Sequence, residues 1–275
     1  DSIGIITARG GVSIADSIFH TGDTNTAIRF PAADTFSVET AGSEAIRVDS
    51  SGRMLIGGTS SHNQYGSQSS LQVQGTGFDD STISLRRDQN NANPPGLIFA
   101  KSRSGSTGGS TIVQDDDQIG TLLFAAADGT DLTSLAAEIK VEIDNTPGSN
   151  DVPGRIVLKT TSDGASSPTE RLRITSTGGV HFNNAELIER VSIVGNKLSA
   201  VPNVSLDNGM VHYYTTNETA TATPNIISTA GINTSMATGD TMSVTIMSKP
   251  NNAGYFPKVS IDGVATGITT YWSGG

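Results

Sequence analysis

Apolar and polar residues alternate with a period of two along much of this chain. That is the pattern of half-buried β-strands, in which successive side chains point to opposite faces. It predicts strands at Ala27–Phe30, Phe36–Thr40, Leu71–Gln74, Thr82–Arg86, Gly96–Ala100, Gly120–Phe124, Gly154–Thr160, Thr241–Met247, Lys258–Ile261 and Ile268–Trp272. Turn residues separate them: Asn93-Pro94-Pro95-Gly96, Asp128-Gly129, Thr146-Pro147-Gly148 and Asp163-Gly164. One stretch supports two readings. Leu132, Leu135, Ala136 and Ile139 sit at helical spacing behind Asp131 as an N-cap, yet Ile139, Val141 and Ile143 alternate like a strand. Asn184–Pro202 carries a weaker helical pattern in Leu187, Ile188 and Val191.

The strongest internal signal is a repeat. EAIRVDSSGRMLIG begins at Glu44, and ERLRITSTGGVHFN begins at Glu170, 126 residues later. Without gaps they match at Glu44/Glu170, Ile46/Leu172, Arg47/Arg173, Val48/Ile174, Ser50/Ser176 and Gly52/Gly178. Each copy reads as strand, tight turn, strand, with the Gly supplying the positive φ that a three-residue hairpin loop needs. Met54 and Ile56, or Val180 and Phe182, resume the alternation. In a regular strand, Arg47 and Arg173 face away from the aliphatic residues beside them.

These patterns divide the chain into an N-terminal β-repeat region (1–60), a second β-repeat region (61–183), a connector (184–208) and a C-terminal β domain (209–275). The last is richer in Thr and Asn and poorer in Arg. Its final strands lack a partner to close a sheet, so the encoded protein is expected to continue past Gly275. The fold class is all-β with a terminal β-sandwich-like domain.

Composition narrows the function. Ser and Thr make up about a quarter of the residues, only 16% are charged, 5% are aromatic, and there is no Cys. Disulfides and thiolate metal sites are thereby excluded. The net charge of -10 argues against nucleic acid, whose phosphates require a basic footprint. The longest apolar run is Leu122–Ala127, far short of a membrane-spanning helix.

Chemical motifs are sparse. There is no G-x-S-x-G, H-E-x-x-H or P-loop. Ser104–Ser110 is Gly-rich but is followed by no Lys, and it reads as a surface loop. Asp115-Asp116-Asp117 offers oxygen ligands of the kind calcium takes, without the spacing of an EF-hand, and reads as a solvated turn. His20, His62, His181 and His212 have no partners at metal-ligand spacing. Asn203, Asn217 and Asn233 open N-x-S/T sequons, which chance explains in so Ser/Thr-rich a chain. No carboxylate pair stands out for glycoside hydrolysis. Tyr213, Tyr214, Tyr271 and Trp272 are candidate receptor contacts that could stack on sugars, or else fill the core of the terminal domain. No catalytic residue, metal or cofactor is expected.

PTERLRITSTGGVHF resembles a strand-turn-strand module that recurs in tail fibres of tailed bacteriophages, and SEAIRVDSSGRMLIG resembles a second copy. The DGASSPTE lead-in strengthens the likeness. Stretches from GIITARGGVSIADSIFH, GLIFAKSRS, IGTLLFAAADGTDL and TPGSNDVPGRIVLKTT resemble fibre proteins of marine and cyanobacterial phages, as does TGDTMSVTIMSKPNNAGYFPKVSIDGVATG near the C-terminus. The resemblance implies an elongated, β-rich homotrimer on the virion, on tail or head. It implies attachment to other virion proteins and adsorption to a host-surface receptor, glycans included. Fibre-borne polysaccharide depolymerase and bacterial surface adhesin stalk are the alternatives. A depolymerase calls for a longer body with a carboxylate-lined groove, and an adhesin for a signal and an anchor.

Overall fold

The computed structural model describes residues 9–251 and 256–271. The chain forms two compact units, Asp1–Ala185 and Glu186–Gly275. Strand is the dominant element, and the one α-helix among the described residues is the single turn α1 (Ile232–Ser235).

The first unit contains two sheets built as meanders. The first runs in sequence order through β1 (Ser17–His20), β2 (Asp23–Arg29), β3 (Phe36–Thr40), β4 (Ser43–Val48), β5 (Met54–Ile56) and β6 (Leu71–Val73). Its pairings are antiparallel except the last, where β6 lies parallel to β5. The second sheet is wholly antiparallel, in the order β11-β10-β9-β8-β7. Its strands are β7 (Gln118–Ala126), β8 (Ser134–Ile143), β9 (Gly154–Thr160), β10 (Thr169–Ile174) and β11 (Val180–Phe182). The first sheet thus runs beyond residue 60, to Val73. The ambiguous stretch resolves as strand: β8 is paired along both edges, and ladder hydrogen bonds on two sides outweigh a weak helical spacing.

Two strands expected in the first unit are absent. Thr82–Arg86 and Gly96–Ala100 keep the apolar pattern of strands but have no ladder partner within this chain.

The second unit has a different logic. β12 (Val191–Val194), β14 (Val211–Asn217) and β16 (Thr245–Lys249) form one parallel sheet. β13 (Asn203–Ser205), β15 (Asn225–Ile227) and β17 (Ser260–Ile261) form another. Successive strands alternate between the sheets, so the chain winds through three coils, each giving one strand to each sheet. Leu198, Val204, Tyr214, Ala222, Ile226 and Ile232 form the shared core. In the register of the second sheet Asn203 lies opposite Asn225, whose Nδ2 donates to Asn203 Oδ1 (2.9 Å). Such amide ladders are favoured where like residues stack in parallel strands.

The stretch expected as a connector, 184–208, contains β12 and β13 and so supplies the whole first coil. Its helical pattern forms no helix: Leu187 and Ile188 are exposed, while Val191 enters β12 and pairs with Val211. Ile268–Tyr271 forms no strand, and Trp272 lies outside the described residues.

The two repeat turns are built alike. Asp49 and Thr175 each donate their N–H across the turn, to Arg53 O (3.0 Å) and Gly179 O (2.9 Å). Gly52 and Gly178 donate back to Asp49 O (2.8 Å) and Thr175 O (3.0 Å) at φ of +75° and +82°. Nothing lies within 4 Å of a Cβ at either Gly, so backbone conformation alone restricts the position. Gly52→Val or Gly178→Val should therefore destabilise the protein by about 1–3 kcal/mol. Ser50→Ala should cost well under that, because Ser50 Oγ makes no hydrogen bond. Thermal unfolding of the purified variants checks this, and equal melting of Gly52→Val and Ser50→Ala would contradict the turn assignment.

Candidate functional site

The repeat is held by an ion pair that a regular strand could not form. Residues three apart on a strand point to opposite faces. Arg47 nevertheless binds Glu44 through both carboxylate oxygens, Nε to Oε1 at 2.6 Å and Nη2 to Oε2 at 2.7 Å. Arg173 binds Glu170 in the same way at 2.9 and 2.7 Å. A β-bulge makes this geometry available. Glu39 lies opposite Glu44 and Val38 opposite Ile46, so Ala45 is an extra residue in β4. Lys159 lies opposite Glu170 and Leu158 opposite Leu172, so Arg171 is the extra residue in β10. One inserted residue returns Glu and Arg to a common face, where the fork of the guanidinium matches the carboxylate. The pairs also cover small neighbours. Ser37, opposite Arg47, and Val157, opposite Arg173, are both 0% exposed. Long Arg stems lying along the sheet account for that burial.

The clamp of the second sheet belongs to a larger charged layer. Arg155 donates to Glu142 (2.9 Å), Asp144 (3.3 Å) and Asp116. Lys140 pairs with Glu142 (2.5 Å) and Lys159 with Glu138 (3.1 Å). Burial opposes the charge on Arg155, and its three carboxylate partners outweigh that and raise its pKa. Burial likewise opposes ionisation of Glu142, and hydrogen bonds from Lys140 and Arg155 pull its pKa below the usual value. Asp144 is lowered chiefly by the Ser176 N–H, which donates at 2.8 Å and ties the second repeat turn to the end of β8. Glu170 is lowered chiefly by Arg173.

The opposite face of this sheet is aliphatic from edge to edge. Phe182, Leu172, Leu158, Ile139 and Leu122 lie in one cross-strand row. Val180, Ile174, Ile156 and Val141 form the next, which ends at Gly120. The first sheet repeats the arrangement, with Ile18, Ile28, Val38, Ile46, Ile56 and Val73 in a row. Val48, the other aliphatic of the first repeat, lies between Phe36 and Met54 in the neighbouring row. These aliphatic faces are the open ones: Ile18 is 50%, Phe182 50% and Leu122 45% exposed, while Lys140 and Glu142 on the charged face are each 8% exposed.

The other candidates resolve plainly. Asp117 is bound bidentately by Arg103 (2.6 Å to both oxygens), Asp116 meets Arg155, and Asp115 accepts the Asn145 N–H (2.7 Å). The acidic run is thus a set of separate ties, and no group of acidic or His residues able to hold a metal occurs among the described residues. Tyr214 as a receptor contact is corrected: it is 1% exposed in the core of the second unit, because neighbours on a strand face opposite ways. Tyr213, on the other face, is half-buried and Tyr271 is exposed. The buried ionisable groups of that core were not read from the sequence. Glu218, fully buried, accepts the N–H groups of Leu198 (2.5 Å) and Ser199 (3.2 Å), and the ring of buried His212 contacts Gly209 O (2.9 Å). Nothing in the local sequence marks Glu218 as a cap for a turn some twenty residues away.

No family model matches the sequence, and no curated protein matches it. Among solved structures, the carboxy-terminal domain of the bacteriophage T5 L-shaped tail fibre aligns with a TM-score of 0.48 and 14% identity, over 68% of this chain and 92% of that one. The same domain with its intramolecular chaperone domain aligns with a TM-score of 0.48 and 14% identity, over 68% of this chain and 64% of that one. Both likenesses are partial.

Two outcomes follow from the charged layer. Arg155→Met leaves Glu142 and Asp144 without their shared cation in a poorly solvated place and should cost about 2–4 kcal/mol. Arg86→Met, at an exposed pair with Asp88, should cost about 0.5 kcal/mol or less; chemical denaturation compares the two. The second outcome is acid sensitivity. Because Glu142, Asp144 and Glu170 have lowered pKa values in the fold, their stabilisation is complete above about pH 4–5. It is lost as pH falls through those lowered values. Melting temperature should be level from pH 8 to 6 and fall steadily below about pH 4.5, and a flat profile down to pH 3 would contradict it.

Proposed function

We propose that the chain is a structural subunit of a virion fibre, assembled as a homotrimer, that carries a phage to its host surface. The supporting observation is how little of itself the chain covers. It exposes 19372 Å², whereas two compact domains sharing its mass would expose about 13,000 Å² in all. The surplus includes the aliphatic faces of both sheets, which an isolated chain would leave in water at a cost of about 25 cal/mol for each Å². Rotational packing of identical chains covers such faces without adding a second gene product. The duplicated strand-turn-strand module, with the same clamp and turn in both copies, suits a fibre body built by repetition. The exposed residue Tyr271 and half-buried Tyr213 remain the receptor-contact candidates of this reading, together with Trp272.

Catalysis forms no part of the proposal. The buried carboxylates Glu142 and Glu218 and the half-buried Glu138 and Glu170 are engaged, Glu142, Glu138 and Glu170 by cations and Glu218 by backbone N–H groups, which leaves none of them free to act as acid or nucleophile on a sugar.

Light scattering on purified protein should give three times the mass of one chain, and an antibody raised against it should label a fibre on intact virions. Leu172→Asp, which sets a charge into the aliphatic row, should convert soluble assembly into aggregate. A compact, cooperatively melting monomer would overturn the trimer, and virions without label would overturn the fibre assignment.

A further inference from the structure

Between Thr82 and Ser102 the chain makes a single backbone-to-backbone hydrogen bond, from Asn91 N–H to Gln89 O (2.8 Å). Residues 82–89 and 93–104 run without bend or turn, and Thr82 itself is extended at φ -106° and ψ 149°. Ile83 and Leu85 alternate with polar residues as in a strand, yet they are 70% and 53% exposed. Leu97 and Ile98 are 68% and 86% exposed. Two unbent stretches on either side of the bends at residues 90–92, the first with strand alternation and both with unspent backbone donors and acceptors and uncovered aliphatic side chains, have the features of strands lacking a sheet.

The second sheet lacks the reciprocal part. The outer edge of β7, nine residues long, is unpaired, and the aliphatic face beside it is open. Phe99 marks where the two meet. Its Cβ lies 2.6 Å from the position a Cβ would take on Gly120, so the missing side chain at Gly120 gives Phe99 its place at the end of the second aliphatic row. Together with Gly120, Leu122, Ile139 and Val141 it lines an apolar recess of about 300 Å³ that opens on the same face. Phe99 fixes the segment to the rim of its own sheet, and the Arg103–Asp117 pair fixes the residues just beyond. Leu97 and Ile98 stay uncovered, and every residue from Thr82 to Ala100 is exposed.

We infer that residues 82–98 are an arm that pairs in trans, adding to the free edge of β7 and covering the aliphatic face of the second sheet in a neighbouring copy of this chain. Local charge favours a copy as the occupant: residues 82–98 carry Arg86 and Arg87 against Asp88, a net of +1 in a chain of net -10, and the two aliphatic rows that the arm would cover carry no charge of their own. The face alone, five strands about 4.8 Å apart, presents roughly 400–500 Å², half of what one partner contributes to a stable interface. The arm closes the gap, since each copy donates one and receives one. Donation in one rotational sense closes into a ring. The inference rests on reading the chain as a self-assembling fibre subunit and not on where the fibre sits, so failure of virion labelling would leave it standing.

Hydrogen exchange on the assembled protein reads the arm directly. Amides of residues 83–86 and 97–98 should exchange more than about 100-fold slower than in an unstructured peptide. Because the chain has no Cys, Ile83→Cys carries a unique thiol for a benzophenone label. Co-expressed with a tagged wild-type chain and irradiated, it should yield a product bearing both label and tag, joined to peptides of β7–β11. Exchange at free-peptide rates in an oligomer would overturn the inference. So would labels attached only within their own chain, attachment elsewhere on the partner, or a stable monomer.

Discussion

A β-sheet with one aliphatic face has to cover that face, and in the first unit of this protein the chain does not do so by itself. Side chains on the charged face lie flat, pair with one another and become the better buried set. The aliphatic rows remain open. That is an inversion of the usual arrangement, in which apolar residues are the enclosed ones. The cost of exposed aliphatic surface grows with every strand added to a meander. A repetitive single-layer sheet therefore leaves more apolar surface in water with every strand it adds.

The clamp explains how the charged face tolerates its position. Two carboxylate–guanidinium pairs, 126 residues apart, depend on the same inserted residue in the strand. The bulge adds local twist and sets the two charges face to face. The neighbouring layer around Arg155 extends this through Glu142, Asp144 and Asp116, and the Ser176 N–H joins it to the repeat turn. Each partly buried charge has a partner, which is the condition under which buried ions are retained.

The second unit satisfies the same requirement internally. Its two parallel sheets face a common core of Leu198, Val204, Tyr214 and Ile226, and alternating strands between the sheets give each coil a share of it. Glu218 and Asn225 are satisfied across the coils: Glu218 caps backbone N–H groups of Leu198 and Ser199, and Asn225 accepts from Ser260 (3.0 Å) and Gly263 (2.8 Å). One chain thus combines a unit with an apolar core enclosed between two sheets and a unit whose sheets leave their aliphatic rows open.

The period-two alternation was enough to establish an all-β chain, and the repeat was enough to place two hairpins with Gly52 and Gly178 at their turns, because pleat and turn geometry act over a few residues. Strands Phe36–Thr40 and Gly154–Thr160 were legible to their ends for the same reason. Pairing was not legible, since it joins residues remote in sequence. The alternation of Val191–Val194 could not show that it opens a parallel coil with Val211–Asn217. The sequence of Thr82–Arg86 could not show that its ladder partner is missing from the chain. Only the tertiary structure decided that Tyr214 is core, that Glu44 and Arg47 share a face, and that the aliphatic faces stay open. Each depends on which strand lies alongside or on one inserted residue, and a periodic pattern is the same whichever neighbour it meets.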